Sequence, residues 1–195
     1  MDQISKIYVK THFQLGEDLT VFNWFKIYFI ENDGMAWGTK LSDILPFMSD
    51  RTAKVSLTVF RIFAIMGIGY WLYDTIVKHR SKILALALVF IFAGALGNII
   101  DSVFYGIAFN DSVGQIATFF PHEGGYEALL HGKVVDMLYL PIWQGDLPSW
   151  VPVYGGKQFN FFEPVFNIAD VAISIGFCIL IFFNKKAFPK KEENA

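Results

Sequence analysis

The stretch Phe166-Asn167-Ile168-Ala169-Asp170 opens the last long apolar run of the chain, which continues to Phe183. A carboxylate inside an apolar helix of membrane length is a candidate functional group by default. Asn167 and Asp170 are three residues apart, so both side chains lie on one face of a helix. A simpler interpretation is that the pair only caps the start of the helix. The functional interpretation gains weight because Asn98 and Asp101 repeat the same spacing at the end of another apolar run.

Composition indicates a membrane protein. Hydrophobic residues make up 54% of the 195 residues and charged residues only 17%. That balance is typical of a small multi-pass membrane protein and unusual for a soluble domain of this size. The net charge of −2 gives no indication of a nucleic-acid partner. No cleavable signal peptide is predicted, because the first six residues lack an apolar core.

The apolar runs predict a single membrane-embedded domain over residues 1–195. We predict a partial span at about 1–12, complete spans at about 55–77, 83–105 and 164–183, and outer regions at about 16–54 and 106–163. Within the outer regions, Val21–Ile30 is typical of a strand, Lys40–Lys54 of a loop with at most a short helical turn, and Gly132–Leu138 of a short strand or the entry to a helix. The spacing of Ala93 and Gly97 favours close helix contact.

Positive charges set the predicted orientation. Lys78–Lys82 and Lys185–Lys191 lie on the same side, which the positive-inside rule assigns to the cytoplasm. The outer regions then lie outside the membrane, and a further span is expected before residue 16. We therefore expect that the chain begins partway through its first helix. Arg61, near the start of the first complete span, is expected to reach the interface by snorkelling.

Three carboxylates are predicted at the outer face: Asp101, Asp136 and Asp170. Two carboxylates that lie close together share a proton, so one acts as a base on water while the other donates to a scissile carbonyl group. This is the chemistry of an aspartic protease. No zinc-helix, serine-nucleophile or nucleotide-binding motif is present, and no metal or cofactor is expected.

Other functions and simpler roles compete with this hypothesis. A small proton- or ion-coupled transporter would use the same acids, but it predicts acids near the middle of the membrane and internal repeats. A noncatalytic scaffold or receptor needs no paired acids. Asp136 is open to interpretation as a solvated loop acid, Asn32 as a turn residue, and Asp2 with Lys6 as a simple ion pair on one helix face.

Five motifs in order resemble those of the bacterial lipoprotein signal peptidases (signal peptidase II). The matching segments are Asp2–Lys6 (DQISK), Asn32–Trp37 (NDGMAW), Gly97–Asp101 (GNIID), Val134–Asp136 (VVD) and Phe166–Asp170 (FNIAD). Each motif is weak by itself, but all five in register cover nearly the whole chain. The family often has Arg directly after the Asp of the third motif, where this chain has Ser102.

The resemblance implies a site and a substrate. It implies that Asp136 and Asp170 are the catalytic dyad, and that the residues lining or supporting the site are Asp2, Lys6, Asn32, Gly34, Gly97, Asn98, Asp101, Asn167 and Ala169. The implied reaction removes the signal peptide of a prolipoprotein by cleavage before its diacylglyceryl-modified cysteine. Further implications are contact with membrane lipid, inhibition by globomycin-like cyclic peptides and a monomeric state.

The resemblance also implies an architecture and a location. The implied fold is mainly α, a four-helix transmembrane bundle, here with a truncated first helix, and a small extracytoplasmic β-rich cap. The implied location is the bacterial cytoplasmic (inner) membrane, with several spans and the active site at the outer, periplasmic face.

Overall fold

Two long apolar helices form the largest part of the structure. A computed structural model describes residues 1–33, 47–146, 148–150, 152 and 155–189. The described helices are α1 (Asp2–Lys10), α2 (Asp50–Val77), α3 (Lys82–Ala108), α4 (Ile168–Phe182) and α5 (Asn184–Ala187). At about 1.5 Å per residue, α2 and α3 each extend about 40 Å, so both are long and apolar enough to cross a bilayer. Helix α4 is also apolar but has only 15 residues.

The start of α2 differs from the sequence-based expectation. Residues 50–54 were expected to belong to a loop, but α2 begins at Asp50. The Ser49 hydroxyl accepts a hydrogen bond from the Thr52 backbone N–H and thereby satisfies one of the free donors at the helix start. The remainder of the predicted loop, up to residue 46, lies outside the described residues.

An antiparallel sheet connects the N-terminal segment to the last long helix. It contains β1 (Asp18–Phe22), β2 (Phe25–Asn32), β3 (Val134–Tyr139) and β6 (Val165–Phe166) in the order β1-β2-β3-β6. Strands β4 (Trp143–Asp146) and β5 (Gln158–Phe161) pair separately. Since β6 is separated from α4 by Asn167 alone, the sheet determines where α4 begins.

Two predictions about the strands are corrected by the sheet. Val21–Ile30 is not one strand, because the chain turns at Asn23-Trp24 and Phe22 pairs with Phe25. Asn32 is not a turn residue, because it is the last residue of β2 and pairs with Val134 of β3. Of the two alternatives for Gly132–Leu138, the strand is confirmed by β3.

Small residues allow α3 and α4 to approach closely. A Cβ atom at Gly97 would lie 2.8 Å from Asp2 Oδ2 and 3.1 Å from Ala169 Cβ, and one at Gly94 would collide with the Ala169 carbonyl oxygen. The predicted contact at Gly97 is therefore confirmed, but its partner along α3 is Gly94, whereas Ala93 is exposed. Such small-residue contacts are common between helices in membranes.

A buried ion network joins the end of α1 to β2 and β3. Lys10 forms an ion pair with Glu31, and Lys133 Nζ lies 3.2 Å from Glu31 Oε2. Ser112 Oγ lies 2.9 Å from both Lys10 Nζ and Glu31 Oε1. Burial acts to raise the pKa of Glu31, but the Lys10 charge and hydrogen bond and the Lys133 charge outweigh it and lower the pKa below 4.5. The ionised form of Glu31 is thus favoured by folding.

We expect Glu31→Gln to lower the melting temperature of the purified protein at pH 7, because it leaves Lys10 buried without its counter-charge. Removing one partner of a buried ion pair costs about 3–5 kcal/mol. A carboxyl group whose pKa falls on folding stabilises above its unfolded value of about 4.5, and that stabilisation is lost as the pH falls through the lower folded value. The difference between the two proteins should therefore shrink in acid.

Thermal unfolding in detergent, followed by tryptophan fluorescence at pH 7 and in acid, measures both effects. Glu123→Gln is the matched control, because Glu123 is exposed and outside the network. Equal melting temperatures for Glu31→Gln and the wild type at pH 7 would contradict the assigned role of the network.

Candidate active site

The two carboxylates predicted as a dyad are held by the sheet and the helix that follows it. Asp136 lies on β3 opposite Ile30 of β2, and its side chain is buried. Asp170 lies in the first turn of α4. The pairing of β6 with β3 carries the chain directly past Asp136 and into α4. Asp136 and Asp170, which are 34 positions apart in the sequence, are thereby brought to one end of the helices.

Asn167 bridges the two acids. Its Nδ2 donates a 2.7 Å hydrogen bond to Asp136 Oδ1. Its Oδ1 accepts one of 2.9 Å from the Asp170 backbone N–H, and Asp170 Oδ2 accepts one of 3.2 Å from the Asn167 N–H. This is a reciprocal capping box, so the pair does cap the start of α4, but capping is not its only contact. The same side chain nevertheless also orients Asp136.

Asn98 of α3 connects Asp170 to α1. Its Nδ2 donates a 2.8 Å hydrogen bond to Asp170 Oδ1, and its Oδ1 accepts one of 2.7 Å from Lys6 Nζ. Asn167 Nδ2 also lies 3.1 Å from Asn98 Oδ1. Both oxygens of Asp170 are therefore hydrogen-bonded, one within its own helix and one to a neighbouring helix.

Asp101 and Asp2 have a different environment, because both form an ion pair with Lys6. Lys6 Nζ lies 2.8 Å from Asp101 Oδ2 and 3.1 Å from Asp2 Oδ2, and the Lys6 and Asp101 side chains are fully buried. Asp101 Oδ2 also accepts a hydrogen bond from the Val135 N–H, and Asp2 Oδ1 accepts one from the Ala169 N–H. These two acids thus pin β3 and α4 to the neighbouring helices.

Asp136 titrates close to neutral pH. Burial is the main cause that raises its pKa, to about 7, and repulsion by Asp170 raises it further. Hydrogen bonds from Asn167 and from Asn32 Nδ2, which lies 3.2 Å from Asp136 Oδ2, act in the opposite direction. An acid with this pKa exchanges its proton readily at physiological pH, which is the property required of a general acid or base.

The structure brings together all the predicted site residues that it describes, and it adds one. The residues in or against the polar cluster are Asp2, Lys6, Asn32, Gly97, Asn98, Asp101, Asp136, Asn167, Ala169 and Asp170. Gly34 lies outside the described residues.

Gln3 is a further residue of the cluster that the sequence analysis missed. Its Nε2 donates a hydrogen bond to Asp101 Oδ1 at 2.8 Å, and its Oε1 accepts one from the Tyr105 hydroxyl at 3.1 Å. Gln3 lies three residues before Lys6 and therefore on the same face of α1, and this spacing could have indicated that it belongs to the site.

Within the part of the chain that the structure describes, two cavities have Asp170 in their lining. An apolar groove of about 550 Å³ follows α4 from Asp170 to Phe182 and Phe183. A smaller cavity of about 230 Å³ lies between α2, α3 and α4 and includes Arg61, Asn98 and Asp170 in its lining. Asp170 therefore contributes to the lining of both cavities. Ser102, in contrast, is buried, and its hydroxyl donates to the Asn98 carbonyl oxygen.

The fold is shared with solved membrane enzymes. Two solved bacterial membrane enzymes, both determined by the in meso method, superpose with TM-scores of 0.57 and 0.58 at 24% and 23% identity. The first similarity covers 100% of this chain and 87% of the other, and the second covers 95% and 85%. At this level of identity the likeness concerns the fold alone.

Sequence comparison gives the family. The profile of the signal peptidase (SPase) II family matches residues 1–184. A lipoprotein signal peptidase of Porphyromonas gingivalis is 48% identical over 183 residues, which are 93% of this chain and 76% of the relative. One of Amoebophilus asiaticus is 37% identical, over 93% of this chain and 71% of the relative. The chain belongs to the signal peptidase II family and is thus related to proteases, and no comparison favours a transporter.

Infrared spectroscopy of the purified protein labelled with ¹³C-aspartate should detect a carboxyl group that titrates with a pKa of about 7. Asp136→Asn should remove this signal. Asp170→Asn should move it to lower pH, because it removes the repulsion that acts on Asp136. Asp146→Asn, at an exposed position on β4, is the control and should change nothing. A signal that persists in Asp136→Asn would refute the assignment.

Proposed function

We propose that the protein is a membrane-embedded aspartic endopeptidase that removes signal peptides from prolipoproteins, with Asp136 and Asp170 as its catalytic dyad. The observation that carries the proposal is the Asn167 side chain, which binds Asp136 and caps the helix turn that holds Asp170. Membership of the signal peptidase II family supports the reaction. The geometry supports the choice of residues, because the other two acids of the cluster are already paired with Lys6.

In the proposed reaction the dyad carries one proton. The Asp170 carboxylate takes a proton from a water molecule, whose oxygen attacks the scissile carbonyl carbon. Asp136 donates its proton to the carbonyl oxygen, which gives a tetrahedral diol. The C–N bond then breaks as Asp170 returns its proton to the leaving nitrogen, while Asp136 regains a proton from a diol hydroxyl. Both carboxyl groups are thereby restored.

The proposed substrate is a prolipoprotein with a diacylglyceryl-modified cysteine, cleaved just before that residue. The names of the relatives and the groove of about 550 Å³ along α4 support it, because the groove is lined mainly by apolar side chains and begins at Asp170. An acyl chain placed there would bring the adjoining peptide bond to the carboxylate. Globomycin-like cyclic peptides would compete for the same space. In the proposed reaction, neither the attack of water on the carbonyl carbon nor the cleavage of the C–N bond requires a metal or cofactor.

We further propose the location and topology. The protein lies in the bacterial inner membrane as a monomeric four-helix bundle in contact with lipid, with the sheet β1-β2-β3-β6 as part of an outer cap. The Lys78–Lys82 turn and the basic C-terminal segment face the cytoplasm. Asp136 and Asp170 then lie at the periplasmic face, at the opposite end of α3 from that turn.

Cleavage of a diacylglyceryl-modified prolipoprotein by the purified protein in lipid vesicles tests the function. We expect Asp136→Asn and Asp170→Asn each to lower kcat/KM by at least about 100-fold, the lower range for loss of a general acid or base. Asp146→Asn is the control and should cleave at the wild-type rate. Unimpaired cleavage by either dyad variant would contradict the assignment.

The same assay with an unmodified prolipoprotein tests the substrate. Cleavage of the modified substrate alone is expected, because the acyl chains position the peptide bond beside Asp170. If both forms were cleaved with equal kcat/KM, the groove would have no role in recognition.

A further inference from the structure

Asn32 lies between two acidic residues, and each of them forms an ion pair with a different helix. Glu31, just before Asn32, pairs with Lys10 at the end of α1. Asp33, just after it, accepts a 2.6 Å hydrogen bond from Lys54 Nζ near the start of α2. The end of β2 is thereby attached to two helices, one residue before Asn32 and one residue after it.

The end of β2 pairs with β3 separately from the rest of the strand. The register between the two strands shifts between Ile27 and Ile30, and the pairs that follow the shift are Ile30–Asp136, Glu31–Val135 and Asn32–Val134. An irregularity of this kind interrupts the ladder locally. The pairing of the first part of β2 therefore constrains Asn32 only weakly, and contacts close to Asn32 determine its position.

The contact between Asn32 and Asp136 tolerates little displacement. Asn32 Nδ2 donates to Asp136 Oδ2 at 3.2 Å, the upper end of the range for an N–H···O bond. Among the causes that act on the pKa of Asp136, burial is the largest and raises it to about 7, whereas the Asn32 hydrogen bond lowers it. Movement of Asn32 away from Asp136 would therefore raise this pKa further.

The described charged groups around Asp136 belong to the polar cluster. They are Lys6 of α1, Asp170 of α4, and the two acids paired with Lys6, which are Asp2 and Asp101. On α2, Arg61 acts on Asp170. The ion pairs that flank Asn32 use other cations, so they can be removed without changing any of these groups.

We propose that Glu31 and Asp33 are positioning residues that hold Asn32 against Asp136 during cleavage. This rests on the proposed function. Both acids act through Asn32, which contacts the proposed proton donor. A direct electrostatic effect would have the opposite sign, because removal of a nearby negative charge lowers the pKa of a carboxyl group. The direction of the shift therefore separates positioning from a direct effect of charge.

The pH dependence of kcat/KM with the diacylglyceryl-modified substrate tests this role, using the full chain in lipid vesicles. In the proposed reaction Asp136 donates a proton, so the basic limb of the profile reports its ionisation. Asn32→Ala should move this limb up by about one pH unit, which corresponds to one lost hydrogen bond to a charged group. Asp33→Asn should move it up by about half a unit, because loosening Asn32 forfeits part of that bond.

Two further variants test whether the acids act through Asn32. Asp33→Asn combined with Asn32→Ala should shift the limb no further than Asn32→Ala alone, since Asp33 then has nothing to position. Glu31→Gln should move the limb in the same direction as Asp33→Asn. The test does not depend on the stability of Glu31→Gln, because the ion pair of Asp33 is partly exposed and its loss costs little stability.

Asp18→Asn is the matched control, because Asp18 of β1 pairs at 3.0 Å with Lys26 of β2, in the part of the strand before the register shift. Its profile should equal that of the wild type. A basic limb that stays in place or moves to lower pH in Asp33→Asn would overturn the proposal, as would a further shift in the double variant.

Infrared titration of the ¹³C-aspartate-labelled protein reads the same shift of Asp136 without a substrate. Asp33→Asn should raise the pKa measured there as well. If the wild type did not cleave the prolipoprotein but Asp33→Asn still raised this pKa, the proposed function would be wrong and the positioning of Asn32 would be supported. An unchanged infrared titration in Asp33→Asn would overturn the positioning role, whatever the protein cleaves.

Discussion

The side-chain amide of Asn167 is the interaction on which the rest of the site depends. An amide carries both a donor and an acceptor, whereas an ionised carboxylate only accepts. Asn167 can therefore cap α4 through its oxygen while its nitrogen binds Asp136 on β3. An aspartate at position 167 would still cap the helix, but it would place a third carboxylate beside those of Asp136 and Asp170. The choice of amide thus joins the start of α4 to the Asp136 carboxylate without adding a charge.

The acids of the cluster divide into two kinds by their partners. Asp101 and Asp2 share the Lys6 ammonium and accept backbone N–H groups of Val135 and Ala169, so they hold β3 and α4 in place. Asp136 and Asp170 are bound mainly by amide groups, which orient a carboxylate without cancelling its charge. Repulsion between these two therefore persists, and it is one cause of the raised pKa of Asp136. The proposed sharing of one proton by the dyad rests on this difference in partners.

Motif order predicted most of the site, whereas its remaining contacts depend on the tertiary fold. The spacing of Asn167 and Asp170 and the matching Asn98 and Asp101 indicated which side chains meet, because helical periodicity puts each pair on one face. The turn at Asn23-Trp24 lacks glycine and proline, so an aromatic run was taken for one strand. The direction in which Arg61 points depends on how α2 packs against α3 and α4. Periodicity along one helix does not contain that information.

Strand alternation links the stability of the sheet β1-β2-β3-β6 to the geometry of the proposed dyad. Successive residues of a strand point to opposite faces, so Glu31 and Asn32 reach different environments from adjacent positions. Glu31 joins the buried cluster of Lys10, Ser112 and Lys133, while Asn32 donates to Asp136. The buried Lys10–Glu31 ion pair on one face of β2 therefore helps to fix Asn32, the hydrogen-bond donor to Asp136, on the other face. A shift of one residue in the β2–β3 register would exchange these two side chains, burying Asn32 among the cations and turning Glu31 toward Asp136.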